Sequence, residues 1–291
     1  MSALARQRRH ALLLLFVPGF LYLFVVRIVP AVFTLGMSFT KWNLQSGRPP
    51  VFDGVANYAT LLHDHSFLTS VVRTLLFSAA ATTIELVLGL AIALLLNRRF
   101  PARRLVRTLA LAPMVITPAV VGMIWFILFD NTVGPLNWLL SLAGLGPVGW
   151  LTNPAIVMGS VLLADVWHWT PFMFLLCLAA LQAVPAESLE AAAVDGATPL
   201  QSLRLVLLPA IADTLLVAAV LRAMSAFELF AEPYVMTGGG PGDATDTLSL
   251  HIYKSAFLFF NMGYTGAMIV VSVGILVALY SISLRFGPRA A

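Results

Sequence analysis

Six apolar runs, each long enough to cross a lipid bilayer, constrain this chain more than any other feature of its sequence. A spanning helix needs about 20 predominantly apolar residues, because lipid offers the backbone no hydrogen-bond partner. Charge, proline or glycine clusters bound each run. We therefore predict an all-α, polytopic membrane protein with six transmembrane helices, at roughly 11–35, 71–96, 106–129, 155–182, 211–231 and 263–284.

The composition excludes an ordinary soluble domain. Only 10% of the 291 residues are charged and 60% are hydrophobic, whereas soluble domains carry about 25% charged residues. The formal net charge of +4 is better explained by membrane topology than by binding to nucleic acid. We expect membrane lipid around the chain and no nucleic-acid partner.

The distribution of arginine predicts the orientation, because positively charged segments resist translocation across the membrane. Arginines are concentrated in alternate segments between the runs, which places those segments and both termini in the cytoplasm. The first run lacks a small-residue cleavage site and is interpreted as a retained helix. We predict a single domain, 1–291, with its core at about 71–285. The arginines are Arg6, Arg8, Arg9, Arg98, Arg99, Arg103, Arg104, Arg107, Arg204, Arg285 and Arg289.

The segment 185–209, between the fourth and fifth runs, has the capping residues expected of two short helices joined by a turn. Ala186–Val194 is rich in helix formers, and Gly196 follows where a left-handed cap is favoured. Thr198 is a suitable N-cap, with Pro199 first in the next helix and Gln201 third, as in a capping box. From this pattern alone the segment could be a simple connector.

The residues of this segment carry a family resemblance. The sequence runs Glu190-Ala191-Ala192, three residues, Gly196, nine residues, then Val206, any residue, and Leu208-Pro209. This spacing resembles the EAA signature of binding-protein-dependent ABC importer permeases, specifically the carbohydrate-uptake group similar to the maltose and glycerol-phosphate permeases. Val206 departs from the isoleucine that is common there.

The resemblance extends over nearly the whole chain. It includes PGFLYLFVVRIVPAVFTLGMSFTKW near the start, RTLLFSAAATTIELVLGLAIALLLN in the second run, PAVVGMIWFILFDNTVGPLNWLL in the third, and YVMTGGGPGDATDTLSLHIYKSAF after the fifth. It implies a type I ABC importer permease fold in a bacterial or archaeal cytoplasmic (inner) membrane. It also implies that 185–209 forms coupling helices that dock into an ATPase subunit. The residues concerned are Glu190, Ala191, Ala192, Asp195, Gly196 and Ala197, with Pro209, which ends the second helix or kinks it into the next span.

The same resemblance implies the partners. They are a second homologous permease in a heterodimer, two ABC ATPase subunits and a periplasmic or surface-tethered solute-binding protein, with a sugar or sugar derivative as the solute. The chain lacks the phosphate-binding sequence GxxxxGK[ST], so ATP and Mg are expected on the partner ATPases and no cofactor on this chain. It also lacks HExxH and GxSxG, so we expect no enzyme. With one cysteine, and only His63 and His65 as candidate ligands in a loop, we expect no metal.

The fourth run contains a polar and aromatic stripe. Asp165, His168, Trp169 and Phe172 fall at i, i+3, i+4 and i+7, which places them on one helical face. Sugars are commonly held by such a mixture, because hydroxyls need directional hydrogen bonds and the less polar sugar face packs on an aromatic ring. Contact between helices is the equally suitable alternative. The resemblance places the four residues where maltose-type permeases line their transport site.

Ionisable residues inside apolar runs need a partner or a water-filled cavity. On the fifth run Arg222, Ala226 and Leu229 share a face and match further transport-site positions of the family. Arg222 could select an anionic sugar, or it could pair with Asp165 or Glu228, while Glu85 suggests helix packing. The rival function is a gradient-driven secondary carrier whose carboxylates, Glu85, Asp165 and Glu228, bind protons or sodium; it leaves the EAA spacing unexplained.

Overall fold

The structure, a computed structural model, describes residues 16–98 and 100–286, with side chains to residue 282. Both termini lie outside these residues, as do Arg6, Arg8, Arg9, Arg99, Arg289 and the side chain of Arg285, so the orientation of the termini stays a prediction. The helices are α1 (Phe16–Ser38), α2 (Ala56–His63), α3 (His65–Asn97), α4 (Arg103–Leu111), α5 (Pro118–Leu128), α6 (Pro135–Leu142), α7 (Val157–Ala183), α8 (Ala186–Val194), α9 (Pro199–Phe227), α10 (Ala231–Thr237), α11 (Leu248–Phe257) and α12 (Met262–Phe286).

Five of these helices, α1, α3, α7, α9 and α12, are long and apolar enough to span a membrane. A sixth candidate is a broken pair in which Arg103–Val115 and Pro118–Leu128 meet at 97°. The prediction of a helical protein with six spans is confirmed when this pair counts as one span. In the described part of the chain, the two named strands, β1 (Thr40–Lys41) and β2 (Val51–Phe52), form a short antiparallel hairpin.

The run 106–129 is therefore not the continuous helix that the sequence predicted. Ile116 and Thr117 adopt extended backbone between α4 and α5, with ψ of 139° and 145°. Thr117 precedes Pro118, and the proline ring disfavours the helical conformation of the residue before it. The bend thus has a local cause, which the apolar composition of the run concealed.

Pro209 does not end its helix, so that alternative of the prediction is wrong. The chain stays helical from Pro199 to Phe227, with a wider π turn at Leu203–Leu207 in which the Leu208 N–H donates to the carbonyl of Leu203. Proline lacks an N–H and its ring clashes with the carbonyl four residues earlier in a regular α-helix. The wider turn accommodates the ring, and α1 uses the same device before Pro30.

Contacts within the chain cluster into two compact units, and the single-domain organisation stays a prediction. Among the described residues, unit 1 contains 16–65 and 252–275, and unit 2 contains 66–98, 100–251 and 276–286. In unit 1 the Asn43 amide donates to the Phe259 carbonyl at 3.1 Å. A Cβ on Gly263 would lie 1.9 Å from the Thr40 carbonyl oxygen, so glycine permits this close approach.

Unit 2 contains the packed core. Gly89 of α3 lies against α7 so closely that a Cβ there would be 2.7 Å from the Cβ of Met173. One apolar cluster combines buried residues of α3, α5, α7, α9 and α10. Its buried members are Phe77, Ala81, Val121, Trp125, Phe129, Val161, Ala164, Ala226, Leu229 and Met236.

Candidate functional site

A buried ion cluster joins three helices of unit 2. Arg222 on α9 donates from Nε and Nη2 to the two carboxylate oxygens of Glu85 on α3, at 2.5 and 2.9 Å. The same Nη2 donates to Asp165 on α7 in a short hydrogen bond. All three side chains are at most 1% exposed. The planar guanidinium suits this arrangement because its fork of donors matches carboxylate geometry.

The structure shows which carboxylates Arg222 contacts. Its guanidinium pairs with Asp165, as one alternative proposed, and Glu228 is not its partner; Glu228 is exposed and caps the C-terminal end of α9. The interpretation of Glu85 as helix packing is incomplete, because both of its carboxylate oxygens accept hydrogen bonds from Arg222. Buried charges are tolerated when they are paired and hydrogen-bonded, and this explains three ionisable groups inside apolar helices.

His168 binds the backbone at the bend between α4 and α5. Its Nε2 lies 2.9 Å from the carbonyl oxygen of Ile116. A carbonyl can only accept, so Nε2 is the donor and carries a proton. The other ring nitrogen, Nδ1, lies 3.5 Å from Oε1 of Glu232 without making a hydrogen bond. His168 therefore satisfies a carbonyl that the break in the helix leaves without an intrahelical partner.

A cavity of about 250 Å³ opens beside the ion cluster. Four of the seven predicted pathway residues line it: Asp165, Trp169, Arg222 and Leu229. The guanidinium carbon of Arg222 lies 5.2 Å from the centroid of the Trp169 ring, within cation–π distance. The remaining lining residues are Pro118, Ser225, Glu228, Phe230, Ala231 and Glu232.

The other three predicted pathway residues do not line this cavity. His168 is buried against Ile116, and Ala226 is 1% exposed within the apolar cluster. The Phe172 ring packs edge-on against Trp169 with 6.1 Å between centroids. The face that the helical spacing predicted is therefore divided between the cavity wall and the contacts that support it.

Glu232 is the charged residue of the cavity lining that was not predicted from the sequence. It is 3% exposed, lines the cavity and faces His168. The signal was available: Ser225, Leu229 and Glu232 continue the spacing of three to four residues from Arg222. The predicted fifth span ended at residue 231, one position too early to include this carboxylate.

The segment 186–202 is a helical hairpin of α8 and the first turn of α9, and its turn has the geometry that the sequence predicted. Helix α8 ends in a left-handed Gly196, with φ of +79°. The Ala197 N–H donates to the Ala192 carbonyl at 2.9 Å, and the Gly196 N–H donates to Ala193 at 3.1 Å. This pair of bonds is the Schellman motif, in which glycine avoids the strain of a side chain at positive φ.

The start of the second helix is capped as predicted. The backbone N–H of Thr198 donates to Oε1 of Gln201 at 2.8 Å, and the Gln201 N–H donates back to the Thr198 hydroxyl at 3.4 Å. Glu190, Ala191 and Asp195 are exposed. The hairpin is therefore a rigid and accessible structure, and its function as a coupling element stays a prediction.

The long apolar helices, the buried ion cluster and the polar cavity together define a multi-pass membrane transport protein. Similarity to known proteins makes the class specific. The family model described as "Binding-protein-dependent transport system inner membrane component" matches residues 85–291. The trehalose/maltose transport system permease protein MalF of Thermococcus litoralis is 37% identical over 81% of this chain and 78% of its own length. The trehalose transport system permease protein SugA of Mycobacterium tuberculosis is 35% identical over 98% of this chain and 91% of its own length.

Solved structures share the fold. A crystal structure of a bacterial ABC transporter involved in the import of the acidic polysaccharide alginate contains a chain that superposes with a TM-score of 0.83, at 23% identity and 96% coverage of both chains. The protein belongs to the family of binding-protein-dependent transport system inner membrane components. It is the multi-pass permease subunit of an ABC importer. The predicted permease fold and the predicted location in the inner membrane are confirmed. The alternative of a gradient-driven carrier is not favoured.

Proposed function

We propose that this chain forms half of a translocation pathway that imports a sugar or sugar derivative, with ATP hydrolysed on separate subunits. The observation that carries the proposal is the cavity lined by Asp165, Trp169 and Arg222, which combines hydrogen-bonding groups with an aromatic ring. The relatives named for trehalose and maltose transport support the sugar class.

The hairpin 186–202 is proposed as the contact with an ATPase subunit. Val194 and Leu200 flank its turn and are 88% and 72% exposed, although both are apolar. Apolar side chains grouped on a projecting turn suit a protein partner. Glu190, Ala191, Ala192, Asp195, Gly196 and Ala197 belong to the same surface or its turn.

The connection between hairpin and cavity suggests how coupling works. Helix α9 begins at Pro199 in the hairpin, continues through Pro209 and carries Arg222 to the cavity. A displacement imposed on the hairpin is therefore transmitted along one helix to the cavity wall. In the proposed cycle, closure of two ATPase subunits moves the hairpin and opens the cavity toward the binding protein, and hydrolysis resets it.

The remaining partners complete the assembly. A second, homologous permease supplies the other half of the pathway, and a periplasmic or surface-tethered binding protein delivers the solute. ATP and Mg bind to the ATPase subunits. The family description already names dependence on a binding protein; the heterodimer and the pair of ATPases are part of the proposal.

Purification of the tagged chain from its native membrane in mild detergent tests the proposal. We expect mass spectrometry to find a second homologous permease and an ATPase, and liposomes with the complex to accumulate labelled trehalose or maltose only with ATP and binding protein. Uptake driven by an ion gradient, from the chain alone or as a homodimer, would contradict it.

A further inference from the structure

The cavity beside Arg222 offers a solute no unpaired positive charge. Among the described residues that line it, Arg222 is the one Arg or Lys, and its Nε and Nη2 donate to Glu85 and Asp165. A guanidinium stays protonated in proteins, but here its Nε and Nη2 already bind carboxylate oxygens of two acidic residues. The arginine that the sequence suggested for an anionic solute is therefore occupied by the protein itself.

The other charged residues of the lining, Asp165, Glu228 and Glu232, are all acidic. Glu228 is exposed at the end of α9 and forms no ion pair among the described residues. Glu232 is 3% exposed and makes no hydrogen bond in the described part of the chain, with His168 as its nearest basic group at 3.5 Å. Glu228 has no counter-ion among the described residues of this wall, so its carboxylate lines the cavity without a compensating cation.

The hydrogen-bonding groups that remain suit hydroxyls. Nη1 of Arg222 has no hydrogen-bond partner within the described residues, so a donor remains. The carboxylates of Glu228 and Glu232 supply acceptors on the same wall. A hydroxyl donates and accepts at once, so a sugar can use both kinds of group, whereas an anionic group meets carboxylates of like charge on this wall.

The geometry points to an uncharged, polyhydroxylated solute: this cavity selects against carboxylate, phosphate and sulfonate groups, and Asp165 and Glu228 are the residues that determine the selection. The inference rests on the proposed function, which leaves the charge of the sugar open, and it narrows that function to neutral sugars. Asp165 acts by pairing with Arg222, and Glu228 acts by its own charge.

Binding of matched sugars to the assembled permease–ATPase complex in nanodiscs, without binding protein, tests the inference. The probes are glucose against glucuronate, and trehalose against trehalose 6-phosphate, followed by saturation-transfer NMR titration. We expect each neutral sugar to bind at least about tenfold more tightly than its anionic counterpart. At an effective dielectric constant of about 20, the repulsion between a carboxylate of the lining and a solute anion about 7 Å away reduces the affinity by more than tenfold.

Two variants locate the selection. Asp165→Asn keeps an acceptor for Arg222 and removes one of the two carboxylate charges beside the guanidinium. Glu228→Gln removes a charge at an exposed helix end, where a substitution should not disturb folding. Each should reduce the ratio of neutral to anionic affinity at least threefold. Asp213→Asn is the matched control, because Asp213 is exposed on the same helix and does not line the cavity; it should leave the ratio unchanged.

The outcomes separate the inference from the proposed function. If the unmodified complex binds glucuronate or trehalose 6-phosphate as tightly as the neutral sugar, the inference is overturned and the sugar importer stands. An unchanged ratio in both variants also overturns it, because the assigned residues then do not select. If none of the four sugars binds, the sugar class fails and the inference fails with it.

Discussion

Arg222 on α9 binds both carboxylate oxygens of Glu85 on α3, although the two residues are 137 positions apart in sequence. Both side chains are buried, and the bidentate geometry fixes the distance and orientation between the two helices. Asp165 adds α7 to the same contact. Removing one partner from such a cluster leaves an uncompensated charge away from water, which costs more than the intact cluster contributes.

Replacing the arginine should therefore destabilise the protein. We expect Arg222→Met to reduce the free energy of unfolding by about 3–5 kcal/mol, because Glu85 and Asp165 lose their common counter-charge. Arg222→Lys keeps the positive charge but lacks the paired donors of the guanidinium. Its free energy of unfolding should lie between those of the unmodified protein and of Arg222→Met. Thermal unfolding in detergent measures the change. Arg104→Met, at an exposed position on α4, is the control, and equal melting of both methionine variants would contradict a stabilising role for the cluster.

The contact between α3 and α7 depends on a missing side chain at Gly89. A Cβ there would lie 2.7 Å from both the Met173 Cβ and the Phe174 backbone nitrogen. Gly89→Ala should cost about 1–3 kcal/mol through overpacking, because backbone cannot move aside cheaply. Gly159→Ala in α7 is matched to it: nothing lies within 4 Å of that Cβ, and the better helix propensity should add up to about 1 kcal/mol. The same melting temperature for both variants would refute the close approach.

The turn of the hairpin should require glycine at position 196. A side chain at φ of +79° costs about 1–2 kcal/mol, and asparagine tolerates it better than a branched residue. Gly196→Val should abolish solute-stimulated ATPase activity of the assembled complex while membrane insertion persists, and Gly196→Asn should retain most of it. Glu190→Lys tests the surface of the hairpin and should abolish stimulation as well. Full stimulation with Gly196→Val and Glu190→Lys would remove the proposed coupling role.

The loop after α5 should respond to acid. The Val133 N–H, then the hydroxyl and N–H of Thr132, donate to Asp130 and hold the pKa of its carboxyl below the ordinary value of 3.8. A carboxyl whose pKa is lowered on folding contributes stability above its ordinary pKa and loses it as the pH falls through the lowered value.

We therefore expect protection of the Val133 amide from hydrogen exchange to be constant above about pH 4 and to decrease below it, since carboxylates lose acceptor strength on protonation. Asp130→Asn keeps one acceptor oxygen and should show protection that does not vary with pH in this window. A decrease of equal size in Asp130→Asn would show that another group titrates there.

The sequence predicted the features whose causes lie within a few residues. The apolar runs gave the spanning helices, and Gly196, Thr198 and Gln201 gave the hairpin, its left-handed cap and its capping box. Helical spacing placed Asp165 and Trp169 on one face, and both line the cavity. The family was recognisable because the EAA spacing is itself a local pattern.

Local effects were nevertheless misjudged where two outcomes were compatible with one pattern. Pro118 bends the chain between α4 and α5, whereas Pro209 remains inside a continuous helix because the π turn before it makes room for the ring. Pro118 lies inside an apolar run, and Pro209 lies two residues before one. Which of them breaks a helix depends on whether neighbouring groups, such as His168 at the Ile116 carbonyl, can satisfy the freed backbone.

What the sequence by itself determined is the class of protein, its spans and the structure of the exposed hairpin. Only the tertiary structure decided that Arg222 pairs with Glu85 and Asp165 and that Glu232 faces His168. It also decided that three of the predicted pathway residues lie outside the cavity lining. These relationships depend on how each helix is rotated about its axis and shifted along its neighbours. Those displacements are set by packing among residues far apart in the chain, and no spacing within one helix records them.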